Sequence, residues 1–574
     1  LITTALAEGL VAKKHRLSDA VSTKAIADSV LQQGPALGLK NGQKMSVKSL
    51  LQGMLIANAR DAAVNLAEYL SGTAADHLAA LPGLMERAGM QKSSLNNVAG
   101  RTSQGQRTSL DDLAALVSYF YRSYPQFIHW LADFEAEIGG VICKKVSNIQ
   151  ADGRASYSFA SGGSPCWGFA IHRRDNDVWL ACAAGAKDTF HLDYLLDGLL
   201  APEVDVVAPD AITLPERKAT TTVTLVGDTY FGEWYSAQRA KRGVDDALQR
   251  YGYDHSFKGI APLLEGSDYT IANFEAALAY DNENGLQGRK PFCLTGDPLR
   301  SVAALKKAGI DAVALGNNHV MDAGISGLQS TLDALRDGGI ASFGAGLNAQ
   351  QAEAPLTLMV GGRTFKFYSA YWYRRYMEQD CAFYAQPRRA GSACLSGGLL
   401  EQLSQDKSGD EPVTTIVMAH WGQDYRWTLP QQKQLAKRLT QAGADLIVGC
   451  GPHMLGEFEQ LGDSWVAYSI GNGVFNSNGE YRQRGVPAFG FITRLVIGGD
   501  QPQLQLLPIF TNNPETFWQP RPVTDDEFTQ VIAVLEQQGV SFADGGARIA
   551  TLSEGRKAIV LPLTAKFTAV SSNS

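Results

Sequence analysis

Ile310-Asp311-Ala312-Val313-Ala314-Leu315-Gly316-Asn317-Asn318-His319 is the stretch that decides the fold. Its first six residues are mostly apolar and read as a buried strand. The strand then stops in a glycine, two amides and an imidazole. Burying such groups without partners costs roughly 1–3 kcal/mol each, so chemistry is a good reason to put them there. Working outward, four more apolar runs end the same way: at Gly227-Asp228, Asn273-Phe274-Glu275, His420-Trp421-Gly422 and Gly451-Pro452-His453. The runs themselves, Val223–Val226, Tyr269–Ala272, Ala312–Leu315, Thr415–Met418 and Leu446–Val448, are joined by a sixth, Val466–Tyr468. Amphipathic segments such as Ser301–Ala308 and Gln431–Ala442 fall between them. Alternation of this kind predicts an α/β layered architecture. Ligands in such folds bind beyond the carboxyl ends of strands, where these polar groups lie.

Carboxylates, amides and imidazoles are ligands of Mn²⁺, Fe and Zn²⁺. Asp228, Glu275, Asn318, His420 and His453 supply such a set. Two ions about 3.5–4 Å apart can share a carboxylate, activate a water and stabilise attacking and leaving oxygens. His319, next to a ligand, is free to donate a proton or hold an oxyanion. Asp228 and His420 are further acid–base candidates. The alternative is structural: Asn318 or Asp322 capping the next helix, and each histidine satisfied within the core. Asn273, Asn317 and Trp421 flank these groups as candidate substrate contacts. So do Arg374 and Arg375, within Tyr371-Trp372-Tyr373-Arg374-Arg375-Tyr376. Guanidinium beside aromatic rings suits a carboxylate or a ring; the alternative is an exposed loop beside a strand edge.

The chain has 574 residues, 45% hydrophobic and 19% charged, with a net charge of −7. That length predicts two or three domains. The negative balance argues against a nucleic-acid partner. No apolar run approaches the roughly 20 residues of a membrane span. The seven cysteines form no CxxC pair and read as buried thiols. Residues 1–200 form one expected domain, with helical spacing over Val47–Ile56 and Leu110–Tyr121. Paired strands are expected at Trp167–Ile171 and Val178–Ala183, around a turn at 174–177. Residues 201–218, with Pro202, Pro209 and Pro215, read as a connection. Residues 219–515 form the second domain. Residues 516–574 read as a helical extension built on Asp525–Gln537. The opening, Leu1-Ile2-Thr3-Thr4, reads as the continuation of something longer.

The order Val226-Gly227-Asp228, Ala272-Asn273-Phe274-Glu275, Gly316-Asn317-Asn318-His319, His420-Trp421-Gly422, Pro452-His453 and Tyr468-Ser469-Ile470-Gly471-Asn472-Gly473-Val474-Phe475 resembles the CapA/PgsA-type poly-γ-glutamate capsule biosynthesis family. That family is related to the calcineurin-like metallophosphoesterases. The resemblance implies a sandwich of two sheets flanked by helices. It places Asp228, Glu275 and His453 around one metal, and Glu275, Asn318 and His420 around another. Two departures bear on this. Tyr230 and Gly451 stand where many relatives have histidine, so single or weak occupancy by a divalent ion (Mn, Zn or Fe) is expected.

Leu39-Lys40-Asn41-Gly42-Gln43-Lys44-Met45-Ser46 through Leu55, Asp61-Ala62-Ala63-Val64-Asn65 and Thr108-Ser109-Leu110-Asp111-Asp112 resemble the D-alanyl-D-alanine carboxypeptidase family of penicillin-binding serine peptidases. Its catalysis needs SxxK, which by alignment would end just before Leu1. Asn58-Ala59-Arg60 replaces Ser-Gly-Asn, and Ser158–Gly163 stands where Lys-Thr-Gly is expected. The domain therefore reads as a degenerate binding module. The two resemblances together imply an extracytoplasmic protein, with membrane anchoring ahead of Leu1 left open. Its expected partners are a peptide-like anionic polymer or cell-wall peptide, and a membrane-bound synthase complex. The main expectation is a metal-assisted hydrolase or transferase. The alternatives are a non-catalytic assembly or export factor, and a serine carboxypeptidase whose SxxK lies upstream.

Overall fold

Strands Thr220–Tyr230, Tyr269–Phe274 and Ala312–Ala314 pair in parallel, as their near-continuous apolar character requires of strands covered on both faces. The computed structural model describes residues 1–27, 35–100, 104–131, 135–138, 141–144, 156–160, 166–174, 177–186, 211–215, 220–279, 285–409, 411–499, 501–542 and 546–568. The chain divides into two units, Leu1–Glu203 and Val204–Ser574.

The second unit is built on two sheets. Among the described residues the larger has ten strands. Its main path runs Ala341–Phe343, Ala312–Ala314, Tyr269–Phe274, Thr220–Tyr230, Phe489–Gly498, Gln503–Phe510, Lys557–Pro562, Arg548–Thr551. The smaller has seven: Phe458–Leu461, Ser464–Ala467, Leu446–Cys450, Val413–His420, Arg363–Tyr371, Leu356–Val360 and Ile212–Thr213. Alternate residues of the two sheets share one core. Val223, Leu225, Ile271 and Ala314 come from the first, and Phe365, Phe367, Ile416, Met418, Leu446 and Val448 from the second. The period of two carries these side chains to one face of each strand. Each fully buried aliphatic or phenyl group contributes about 1.5–3 kcal/mol. Two glycines let the sheets' ends close up. A Cβ at Gly227 would lie 1.9 Å from the Gly471 carbonyl oxygen, and one at Gly316 would lie 2.4 Å from the Ala370 nitrogen.

The expected strands and helices of this unit are all present, with ends shifted by a few residues. Helix Pro298–Lys307 starts on Asp297, whose carboxylate accepts from the Arg300 amide, with proline in the first turn. Helix Pro430–Ala442 also begins with proline.

Two expectations at the edges need correction. Within the supposed connection, Ile212–Thr213 pairs in parallel with Leu358–Met359, and Leu214 is buried in the core. The short alternation Ile212-Thr213-Leu214 outweighs the flanking prolines. After residue 515 the chain is more than helical. Helix Asp525–Gln537 buries Phe528, Val531 and Leu535, and strand Lys557–Pro562 pairs antiparallel with Gln503–Leu506 of the large sheet. Residues 201–210, 216–219 and 569–574 lie outside the described residues.

In the first unit, helix Val47–Leu55 is capped by Ser46 and helix Leu110–Ser123 by Ser109. Strands Cys166–Arg174 and Asp177–Ala186 pair antiparallel, with Ser156–Ala160 beside them. The turn at 175–176 and the segment 161–165 lie outside the described residues. The Asp61-Ala62-Ala63-Val64-Asn65 motif is a structural knot. Asp61 accepts from the amides of Leu37 and Leu39, and Asn65 donates to the Lys24 carbonyl. Asp112 likewise accepts from the Gln91 and Lys92 amides. No helix of the described residues is long and apolar enough to cross a membrane.

Candidate metal centre

The five strand ends converge from both sheets. Asp228, Glu275 and His453 place ligand atoms within 4.8 Å of one another. His453 Nδ1 lies 3.1 Å from Asp228 Oδ2 and 3.9 Å from Glu275 Oε2. His420 closes another side, its Nε2 3.6 Å from Glu275 Oε1 and its Nδ1 3.9 Å from Asp228 Oδ1. His319 Nε2 stands 3.8 Å from Glu275 Oε1. All of these side chains are buried.

Asp228 is held firmly. Its Oδ1 accepts from Asn273 Nδ2 at 2.8 Å, and its Oδ2 accepts from the Gly451 amide at 3.1 Å. Asn273 Nδ2 also lies 3.2 Å from His420 Nδ1. Asn317 Nδ2 donates to the Phe274 carbonyl at 2.7 Å, and its Oδ1 accepts from the His319 amide. Trp421 Nε1 donates to the Tyr468 carbonyl at 2.8 Å. Asn273, Asn317 and Trp421, the expected substrate contacts, are buried beside the centre with their side-chain donors engaged inside the protein.

Glu275 differs from Asp228. Both its carboxylate oxygens, and Asn318 Oδ1 beside the site, are buried without a hydrogen-bond donor. Such groups are costly to leave unpaired. Burial, then the Asp228 charge, pushes the Glu275 carboxyl well above the ordinary range. Asp228 is lowered: burial opposes this, but the His453 hydrogen bond and charge prevail. For His453 burial would lower the pKa, yet the Glu275 and Asp228 carboxylates drive it up to about 10. Burial holds His420 down to about 4, which keeps a neutral imidazole. A bound cation would reverse this balance around Glu275. The orphaned oxygens, converging with imidazole nitrogens, are the donor set that Mn²⁺, Zn²⁺ or Fe takes, so the residues present fit a divalent ion.

The two departures also have physical accounts. Gly451 has φ of +112°, and a Cβ there would lie 2.5 Å from the Trp421 carbonyl oxygen. Tyr230 is buried with its hydroxyl donating to the Thr295 carbonyl at 3.1 Å and accepting from the Trp234 amide at 2.8 Å.

Several contributors were not singled out from the sequence as site residues. Lys290 reaches Asn318, His319 and Asp322 from an ordinary Arg-Lys-Pro run. Asp322, weighed only as a cap, lies 2.5 Å from His319 Nδ1. Asn472 Oδ1 lies 2.9 Å from His453 Nδ1 and its amide donates to Tyr481. Asn472 lay within the Tyr468–Phe475 motif of the resemblance but was not singled out there. Arg374 is half-buried, its guanidinium 4.7 Å from the Trp372 ring centre, and Arg375 is exposed. The Trp372 amide donates to the His420 carbonyl, which keeps this segment beside the site.

Residues 222–477 match the family model described as bacterial capsule synthesis protein PGA_cap, and residues 1–148 match that of D-alanyl-D-alanine carboxypeptidase, Peptidase_S11. Both resemblances hold. The capsule biosynthesis protein CapA of Bacillus anthracis is 32% identical over 263 residues, which cover 44% of this chain and 60% of that protein. The PGA biosynthesis protein CapA of Bacillus subtilis is 28% identical over 262 residues, covering 44% and 63%. The D-alanyl-D-alanine carboxypeptidase DacF of Bacillus subtilis is 31% identical over 139 residues, covering 24% and 34%. The chain thus spans about three fifths of the length of the capsule relatives it matches. Penicillin binding protein 6B from Escherichia coli aligns at 20% identity and a TM-score of 0.33, over 35% of this chain and 66% of that one.

Proposed function

We propose that the second unit is a metal-assisted hydrolase or transferase acting outside the cytoplasm on poly-γ-glutamate or a related peptide-like anionic polymer. The observation that carries this reading is the trio of buried, donorless oxygens on Glu275 and Asn318, set among Asp228, His420 and His453. Those five residues would hold a divalent ion such as Mn²⁺ or Zn²⁺. When bound, the ion would lower the pKa of a coordinated water and offset charge on the reacting oxygen. The protein does the rest. Asn273 and the Gly451 amide fix the Asp228 carboxylate. His319 turns Nε2 toward the centre and serves as the proton-transfer group. Arg374, laid on Trp372, binds a polymer carboxylate. The first unit serves as a binding module for polymer or cell-wall peptide, because Arg60 replaces the amide of the family's second motif. A membrane-bound synthase is the proposed partner of the whole.

The test is metal analysis and Mn²⁺ titration of the full chain, joined to size analysis of poly-γ-glutamate after incubation. Mn²⁺-dependent shortening or transfer that Glu275→Gln abolishes supports the reading. Polymer turnover that persists in Glu275→Gln after exhaustive chelation sinks it.

A second reading has its own support. Tyr230 and Gly451 leave the centre short of two imidazoles, which suits an assembly or export factor that binds polymer without cleaving it. Polymer binding with no turnover at saturating Mn²⁺ would favour that role.

A further inference from the structure

Lys290 is a buried lysine next to the centre, its side chain 6% exposed. An ammonium carries three donors and no acceptor, and here two acceptor oxygens and an imidazole nitrogen meet it. They are the Asn318 carbonyl oxygen at 2.6 Å, Asp322 Oδ1 at 2.7 Å and, at 2.8 Å, His319 Nδ1, which also lies 2.5 Å from Asp322 Oδ2. All three belong to the turn that follows the Ala312–Ala314 strand. Asp322 then ties the same turn to the segment 285–294. Its Oδ2 accepts from the Leu294 amide at 2.6 Å, and its backbone carbonyl accepts from the Leu286 amide at 3.3 Å. At the near end, the Gly285 and Gly324 backbones touch so closely that a Cβ on Gly285 would lie 2.5 Å from the Gly324 Cα.

We propose that Lys290 is a positioning residue of the metal centre, and that it couples ion binding to the seating of the 285–294 segment. The chain of contacts is short. Lys290 grips the backbone of Asn318, whose side-chain oxygen is one of the donorless groups. It also lies against Nδ1 of His319, and together with Asp322 Oδ2 on the same nitrogen it holds the ring with Nε2 toward Glu275. Without the ammonium, the Asn318–Asp322 turn loses its tie to Lys290 and is left with the Asp322 bonds to Leu286 and Leu294 and the Asn317 bond to the His319 amide. An ion that needs Asn318 in place therefore stabilises the clamp, and through it the segment that carries Lys290. Outer partners of metal ligands commonly change metal affinity by about 10–100-fold. Coupling of this kind is reciprocal by thermodynamic necessity.

This inference rests on the metal-centre reading and is tested separately from it. Mn²⁺ affinity of the full chain is measured for wild type and Lys290→Met, with amide hydrogen exchange followed in both, with and without Mn²⁺. Lys290→Met is expected to weaken Mn²⁺ binding 10–100-fold. In wild type, Mn²⁺ is expected to slow exchange at the Leu286 and Leu294 amides, and in Lys290→Met that slowing is lost. A lysine that merely supported the fold would change exchange equally with and without the ion and leave Mn²⁺ affinity alone; that result overturns the proposal. If Lys290→Met does not fold, the wild-type exchange pattern decides by itself, and no Mn²⁺-dependent protection of the segment overturns it. If wild type binds no Mn²⁺, the metal reading falls as well. Binding that is intact and insensitive to Lys290 removes only the present inference.

Discussion

Gly451 and Tyr230 stand where imidazoles were expected, and their surroundings show why reinstating a ligand at either would not be simple. Gly451→Ala puts a Cβ against the Trp421 carbonyl at a φ that L-residues rarely adopt, and it disturbs the amide that holds Asp228. A loss of about 2–4 kcal/mol is expected by urea denaturation. Tyr230→His removes two hydrogen bonds and a fully buried ring. It should cost about 2–4 kcal/mol without raising bound Mn²⁺ in metal analysis. Glu233 offers a pH test away from the centre. Burial pushes its carboxyl up to about 7. The fold therefore favours the protonated form, and that stability is complete below about pH 4.5 and is lost as pH rises through about 7. By linkage the change is up to about 3 kcal/mol. In Glu233→Gln that part of the pH slope should vanish; a slope equal to wild type in denaturation at pH 4.5–8 would show the shift absent. At this scale the sequence revealed the groups that break a pattern, such as His319 or Glu275 after an apolar run. It hid those that merely satisfy one. The internal partners of Asn273 and Asn317, Asp228 Oδ1 and the Phe274 carbonyl, lie more than 40 residues away along the chain and left no local mark.

Strands and helices were largely legible because each has a local cause. Val413–His420 is apolar and β-branched, and Asp525–Gln537 carries a capping box in which the Thr524 hydroxyl accepts from the Glu527 amide. Thr524→Ala should lower stability by about 1 kcal/mol. Leu535→Ala, on the same helix and fully buried, should cost about 2–5 kcal/mol. Thermal melts of the two variants compare cap with core directly. What was not legible was partnership. The Ile212–Thr213 strand is two residues long and exists only because Leu358–Met359 offers it an edge. Lys557–Pro562 fell within the expected helical extension, since nothing local says that Gln503–Leu506 is waiting for it.

For the molecule as a whole, the same partnership decides where it can be cut. Ending the chain at residue 515 removes buried Phe528, Val531, Leu535, Ile559 and Leu561 from the second unit. At about 1.5–3 kcal/mol each, that is comparable with the entire 5–15 kcal/mol stability typical of a domain. Such a truncation should lose its cooperative unfolding transition, and a sharp wild-type-like transition would show the tail dispensable. In the first unit, Asp61 and Asp112 hold neighbouring backbone amides, and the binding-module role proposed for it rests on Asn58-Ala59-Arg60. The protein, with any segment preceding Leu1 included, should resist fluorescent penicillin; stoichiometric labelling would show the peptidase chemistry intact.

The bond from the Gly451 amide to Asp228 spans 223 residues of sequence. A ribosome adding about 5–20 residues per second needs about 10–45 seconds to bring the second partner into being. Glu275, His319 and His420 appear in turn during that interval, while Gly451 and His453, which face Asp228 directly, come only at its end. A fragment that stops short of His453 lacks one member of the Asp228–Glu275–His453 group. For the divalent ion proposed above, the full ligand set is therefore complete only once synthesis has passed His453.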